Sequence, residues 1–151
     1  MRRAARLIAS GLGCGRAPTA GGTVASVAAA LAGAGMMLAA SWALPLAALA
    51  ASLCGLWAIR AAGVEGDPGW VVIDEVAGQW VALVGLDRPT PYGVIAACAL
   101  FRLLDVTKPG PVGWADRQHG AAGIMADDLI AGALSAGVLW AVRTRWPAAF
   151  G

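Results

Sequence analysis

Between residues 17 and 59 this chain carries no Asp, Glu, Lys, Arg or His. A water-soluble domain does not leave so long a stretch uncharged, because one face of each of its surface helices must meet water. Pro45, with Ser41 and Trp42 just before it, divides the stretch in two. The pattern predicts helices over 24–41 and 45–61, with Thr23 as N-cap of the first and Pro45 in the first turn of the second. Eighteen helical residues reach about 27 Å, close to the thickness of a hydrocarbon core. A tight transmembrane hairpin is therefore expected, with two core helices of a compact bundle as the alternative.

Composition agrees with a lipid-facing chain. Charged residues are 13% and hydrophobic ones 59% of 151 residues, against about 25% charged in an average soluble domain. The length suits a single domain. Cys14, Cys54 and Cys98 are far apart and show no ligand spacing, so neither a zinc site nor a disulfide framework is indicated. A net charge of +2 without a basic, aromatic-interleaved stripe excludes a nucleic-acid partner. Oligomeric state leaves no mark on the sequence.

Charge position is more informative. Arg2, Arg3, Arg6, Arg16 and Arg60 are the only charges before residue 61, and all nine acids fall between Glu65 and Asp128. The domain thus reads as a basic entry and Gly/Pro loop (1–22), an apolar hairpin (24–61), acidic segments (65–128) and a last helix (127–142). The runs Val71–Leu86 and Tyr92–Phe101 are too short to span alone and read as buried or re-entrant helices. Asp127 and Asp128 stand at the start of the expected last helix and Arg143 just past its end, as the helix dipole favours. With Arg143 and Arg145 closing that helix, a full third crossing is disfavoured. By the positive-inside rule the early arginines place the N-terminus, and after two crossings the acidic segments, in the cytoplasm.

Four segments hold nearly all the polar chemistry. VVIDEVAGQW sets Asp74 beside Glu75 in an apolar helix, an arrangement that is costly unless the carboxylates are paired, protonated or metal-bound. FRLLDVTKPGP repeats Arg102, Asp105 and Lys108 every three residues, near one helix face that Pro109 ends. DRQHG is turn-like, with His119 as a surface turn residue, and GIMADDLIAG carries Asp127 and Asp128. Asp74, Glu75, Asp105, Asp127 and Asp128 are hard oxygen ligands of the kind Mg²⁺ takes. Arg102, Lys108 and Arg117 supply fixed positive charge for a phosphate. Lys108 is the only lysine among eleven basic residues. Together these read as metal-assisted phosphoryl transfer. The alternative is a small membrane cation-binding or transport protein using intramembrane carboxylates, which leaves Lys108 and Pro109 without a role. No Walker A motif is present, and CGLWAIR places a bulky apolar helix where a cysteine phosphatase needs a phosphate-cradling loop.

VVIDEVAGQWVAL, FRLLDVTKPGPVGWADR and GIMADDLIAGALSAG, with a weaker GGTVAS, resemble the phosphatidylglycerophosphatase A family in that order. The resemblance covers roughly residues 22–138. It implies an all-α, compact, multihelical, membrane-associated enzyme of the bacterial inner membrane. Such an enzyme needs Mg²⁺ and converts the lipid phosphatidylglycerophosphate to phosphatidylglycerol and phosphate. It makes Asp74, Glu75, Asp127 and Asp128 the metal and catalytic candidates, with Asp105 joining the metal set, and Arg102 and Lys108 the phosphate binders. The chain departs from the family pattern at Gly21, Ala25 and Gly110, and in a shorter turn before Gly123.

Overall fold

The charge-free stretch forms a helical hairpin. The computed structural model, which describes residues 1–150, places α2 at Gly21–Ala39 and α3 at Ala43–Ala62. They follow a short α1 (Arg2–Ala9) and a 3-10 turn (Gly11–Arg16). After them come α4 (Ile73–Leu83), α5 (Pro91–Thr107), α6 (Pro111–Asp116), α7 (Gly120–Arg145) and a closing 3-10 turn (Pro147–Phe150). No strand occurs among the described residues. The all-α expectation is met.

Local chemistry explains most of the boundaries. Pro45 lies in the first turn of α3, where its missing N–H belongs to a group that has no intrahelical partner in any case. Gly63 ends α3 in the left-handed conformation at φ 66°. Thr90 caps α5 by accepting a hydrogen bond from the Gly93 amide at 3.2 Å, with Pro91 as first helical residue.

Two boundaries differ from expectation. Thr23 is not an N-cap: α2 already starts at Gly21, and Thr23 is exposed in its first turn. The last helix starts at Gly120, so Asp127 and Asp128 lie two turns inside it and are buried rather than placed at its positive end. Glycine spacing in GAAG argues for a turn by propensity. The helix nonetheless starts at Gly120, and Gly123 within it sits against the Gln118 backbone carbonyl, where a side chain would collide.

α4 is the axis of the bundle, with α2, α3, α5 and α7 around it. Its most extensive packing is with α7. There Gly78 lies against the Asp128 carbonyl and Gly132 against the Gly78 carbonyl, so the two backbones touch without intervening side chains. α2 runs alongside α4, anchored where the Trp80 indole N–H donates to the Ala29 carbonyl at 2.8 Å. α5 runs back antiparallel, its fully buried Phe101 packed on Gly78 and its Ala97 sharing a cluster with Leu86. α4 and α5 therefore form an antiparallel packed pair of 11 and 17 residues.

α2, α3 and α7 are each long and apolar enough to cross a membrane, with mean hydropathies of 1.6, 1.6 and 1.5. The 26-residue α7 thus meets the length and composition of a third span, which its closing arginines had argued against. Half of its apolar window is buried in the protein, against 28% for α2 and 33% for α3, so the hairpin forms most of the outer, lipid-like surface. Leu31, Leu46, Leu49 and Leu53 are exposed there. Exposed aromatics mark both ends: Trp57 and Trp114 toward one, Trp42, Tyr92 and Trp140 toward the other, as in interfacial belts.

Candidate active site

The starts of α2, α4 and α7 and the end of α5 meet at one end of the bundle, and this convergence gathers the acids. Asp74 and Glu75 open α4, Asp105 lies in the last turn of α5, and Asp127 and Asp128 project from the early part of α7. Asp74, Glu75 and Asp128 place carboxylate oxygens within 4.8 Å of one another; so do Asp105, Asp127 and Asp128. The two triads share Asp128. All five carboxylates named from the sequence are therefore in one cluster.

Three of the five are buried, and partners are few. Asp74, Asp127 and Asp128 are only 5%, 6% and 3% exposed. Glu75 Oε2 and Asp127 Oδ1 are buried oxygens with no hydrogen-bond partner. Burial, then the negative charges of Glu75 and Asp128, push the Asp74 carboxyl far above the ordinary range. Burial also raises Glu75, against hydrogen bonding from Asp74 and the charge of Arg102, which lower it.

Two cations face the cluster. Arg102 is paired with Asp105 at 2.5 Å. Lys108 Nζ donates to Asp116 Oδ1 at 2.5 Å and to Asp127 Oδ2 at 2.7 Å. Partial burial pulls the Lys108 ammonium down, but its bonds to Asp116 and Asp127 outweigh this and hold it above its usual value. The backbone contributes as well: Lys108 caps α5 at φ 47°, in the left-handed region where a non-glycine residue is strained by about 1–2 kcal/mol. That conformation ends the helix while keeping a long cationic side chain over Asp127. Lys108→Met is expected to lower turnover about a hundredfold with the helical circular-dichroism spectrum unchanged, since one charged contact to the reacting group is lost. Asp116→Asn should cost less than tenfold in the same assay, because Asp116 is 42% exposed and Asp127 only 8%.

Arg117 comes near Gly113, which sits against the Lys108 carbonyl. It follows α6, is exposed, and makes no ion pair among the described residues. Three residues, Arg117 to His119, join α6 to α7.

The structure adds residues that the motifs did not single out. A polar cavity of about 280 Å³ opens beside Asp127, lined also by Asp67, Asp116 and His119. Asp67 comes from the 63–69 loop, and burial followed by the charge of Asp127 raises its carboxyl above the usual range. Gly22 touches the site from α2: a Cβ there would meet the Glu75 carboxylate and approach the Arg102 guanidinium. This gives a physical reason for glycine in the GGT stretch. Gln79 is fully buried on α4, and neither atom of its amide has a partner. An unsatisfied buried amide costs about 1–3 kcal/mol, so Gln79→Leu is expected to raise the thermal midpoint by a few degrees. A lowered midpoint would show that the amide is satisfied by water or ligand.

A metal fits this donor set. Five carboxylates face two cations, and two buried carboxylate oxygens lack partners.

The comparisons agree with the geometry. The family model for phosphatidylglycerophosphatase A matches residues 7–143. Phosphatidylglycerophosphatase A of Escherichia coli K12 is 44% identical over 82 residues, which is 54% of this chain and 48% of that protein. The Haemophilus influenzae protein of the same name is 33% identical over 78 residues, 51% of this chain and 48% of its own. These two matches thus span about half the length of either relative. A Bacteroides thetaiotaomicron protein, provisionally named a phosphatidylinositol-3-phosphatase, is 37% identical over 93% of this chain and 92% of its own. No solved structure matches. A match to the family model from the first helix to the end of the last one settles the family: the chain belongs to the phosphatidylglycerophosphatase A family.

Proposed function

We propose that this protein is a Mg²⁺-dependent phosphatase of the bacterial inner membrane, hydrolysing phosphatidylglycerophosphate to phosphatidylglycerol and phosphate. The observation that carries the reading is the pair of carboxylate triads sharing Asp128, with Lys108 and Arg102 alongside, at one end of an apolar bundle. Arg16, just before α2, and Arg60, in the last turn of α3, lie at that same end, which favours the cytoplasmic face.

Asp74, Glu75 and Asp128 would hold one Mg²⁺, and Asp105, Asp127 and Asp128 a second. Bound there, Mg²⁺ supplies Lewis-acid polarisation of the phosphoryl oxygen and a more acidic water. The protein's own groups do the rest. The third ammonium hydrogen of Lys108, not used by Asp116 or Asp127, reaches a phosphate oxygen, and Arg102 takes another. Their charge stabilises the oxygens as a water oxygen bonds to phosphorus and the ester bond to glycerol breaks. Asp67, on the cavity wall with a raised pKa, is placed to give a proton to the departing glycerol oxygen. Burial of Asp74 and Asp127 keeps bulk water from screening these contacts.

The test is phosphate release from phosphatidylglycerophosphate by detergent-purified protein, with and without Mg²⁺. Metal-dependent release that disappears in Asp127→Asn supports the reading; activity retained in both Asp74→Asn and Asp127→Asn sinks it. The near-full-length Bacteroides relative favours a second substrate, a phosphoinositide monoester. Side-by-side rates on the two lipids decide between them.

A further inference from the structure

Away from the acids, the bundle has a second cavity of very different chemistry. Its volume is about 490 Å³, and its walls are almost wholly apolar. It lies between the two hairpin helices, with Ala28 and Ala32 on one wall, Ala50 and Cys54 on the other, and Val76 and Trp80 of α4 as its floor. Consecutive helices of a hairpin normally close on each other, but here α2 and α3 touch sparingly and alanines line the gap. The floor is held in place by the indole bond of Trp80 to Ala29. Ala28, Ala50 and Cys54 are exposed, so the groove opens on the lipid-like face of the hairpin.

Three observations bear on what fills it. First, Ile73 lines the groove and is followed at once by Asp74 and Glu75, so groove and acidic cluster start at the same level of the same helix. Second, Ile8 and Leu12 close the groove at that end, and their short segment also carries Arg6 and Arg16. Those two arginines line a separate cavity of about 300 Å³ with Trp70, and neither forms an ion pair among the described residues. An uncharged groove flanked by unpaired arginines complements a molecule with an apolar tail and an anionic head. Third, the volume suits a slender chain, since one turn of α-helix, roughly 10 Å wide and 5.4 Å long, would already take up most of the space.

Resting on the lipid-phosphatase reading, we propose that this groove is the substrate's acyl-chain site: one hydrocarbon chain of the anionic phospholipid lies between α2 and α3 while its phosphate monoester reaches the acidic cluster. The groove then acts as a ruler that presents the headgroup at the level of Asp74 and Glu75, so its contribution is to binding and not to the chemical step.

The experiment compares dioleoyl phosphatidylglycerophosphate with its deacylated, water-soluble headgroup on wild type, Ala28→Phe and Ala50→Phe. Both alanines are exposed on the groove rim, so the substitutions fill the groove without entering the core. Leu31→Phe and Leu53→Phe, on exposed positions that do not line the groove, are the controls. The groove variants are expected to raise KM for the lipid about tenfold with kcat retained, leaving the deacylated headgroup and the controls unaffected. Equal effects of groove and control variants on the lipid would overturn the proposal.

A second readout needs no catalysis. In a Cys14→Ser, Cys98→Ser background, the rate of thiol labelling at Cys54 is measured in detergent. The proposal expects slowing by dioleoyl phosphatidylglycerophosphate and not by the deacylated headgroup. Equal slowing by neutral phospholipid would make the groove a general lipid contact, and slowing by protein concentration alone would make it an interface between copies; either overturns the assignment. Failure of the phosphatase reading looks different, with no phosphate released from either compound by wild type, whatever Cys54 shows.

Discussion

Asp128→Asn is expected to reduce phosphate release about a thousandfold and, at the same time, to raise the thermal midpoint of the metal-free protein. The two effects have one cause. Asp128 is 3% exposed and belongs to both carboxylate triads, so its charge is repelled by every other acid in the cluster when no cation is bound. Removing that charge relieves repulsion in the folded state, whereas the unfolded chain holds the same acids apart in water. With Mg²⁺ present the balance reverses, because the shared ligand for both proposed positions is gone. A thousandfold loss corresponds to about 4 kcal/mol of transition-state stabilisation, within reach of a single dominant electrostatic contact in a buried site. The measurements are phosphate release and thermal unfolding, each with and without Mg²⁺. Wild type should gain stability from Mg²⁺ and the variant should not. A variant that stays active, or that is still stabilised by Mg²⁺ as wild type is, would remove Asp128 from the metal set.

The second large effect concerns the fold. Gly132→Leu is expected to abolish accumulation of folded protein, because a Cβ at that position falls on the Gly78 backbone carbonyl, which has no flexible end to move aside. Overpacking a well-packed core costs typically about 1–3 kcal/mol, and here the obstacle is the backbone of the central helix, so the cost lies at or above that range. Separation of α4 from α7 would also pull Asp74 and Glu75 away from Asp128. Gly137 is the internal control: it lies in the same helix, five residues on, and a Cβ there meets nothing within 4 Å. Gly137→Ala should therefore stabilise the protein by roughly 0.5–1 kcal/mol through helix propensity alone. Yield of monodisperse protein and thermal midpoint decide both. A folded Gly132→Leu protein with normal activity would mean that the α4–α7 contact is looser than the structure has it.

What the chain announces by itself follows from short-range rules. A charge-free stretch interrupted at Pro45 dictates two apolar helices, since helix hydrogen bonds close locally and the side chains between them demand no water. Carboxylates written side by side in apolar runs, at 74–75 and 127–128, announce a site, because such charges are too costly to keep without a task. The single lysine in an arginine-rich chain marks a position where a flexible point charge is needed, and the structure puts Lys108 on Asp127.

Packing between distant segments decided the remainder. Asp67 and Gly22 carry no local signature; each matters through a neighbour far along the chain, Asp127 for the first and Glu75 for the second. Periodicity and charge cost are properties of residues a few positions apart and can be read along the chain. The cluster's two triads and the hairpin groove depend on how α4 sits among its neighbours, which non-directional apolar packing and backbone-to-backbone contact at glycine settle only once the helices meet.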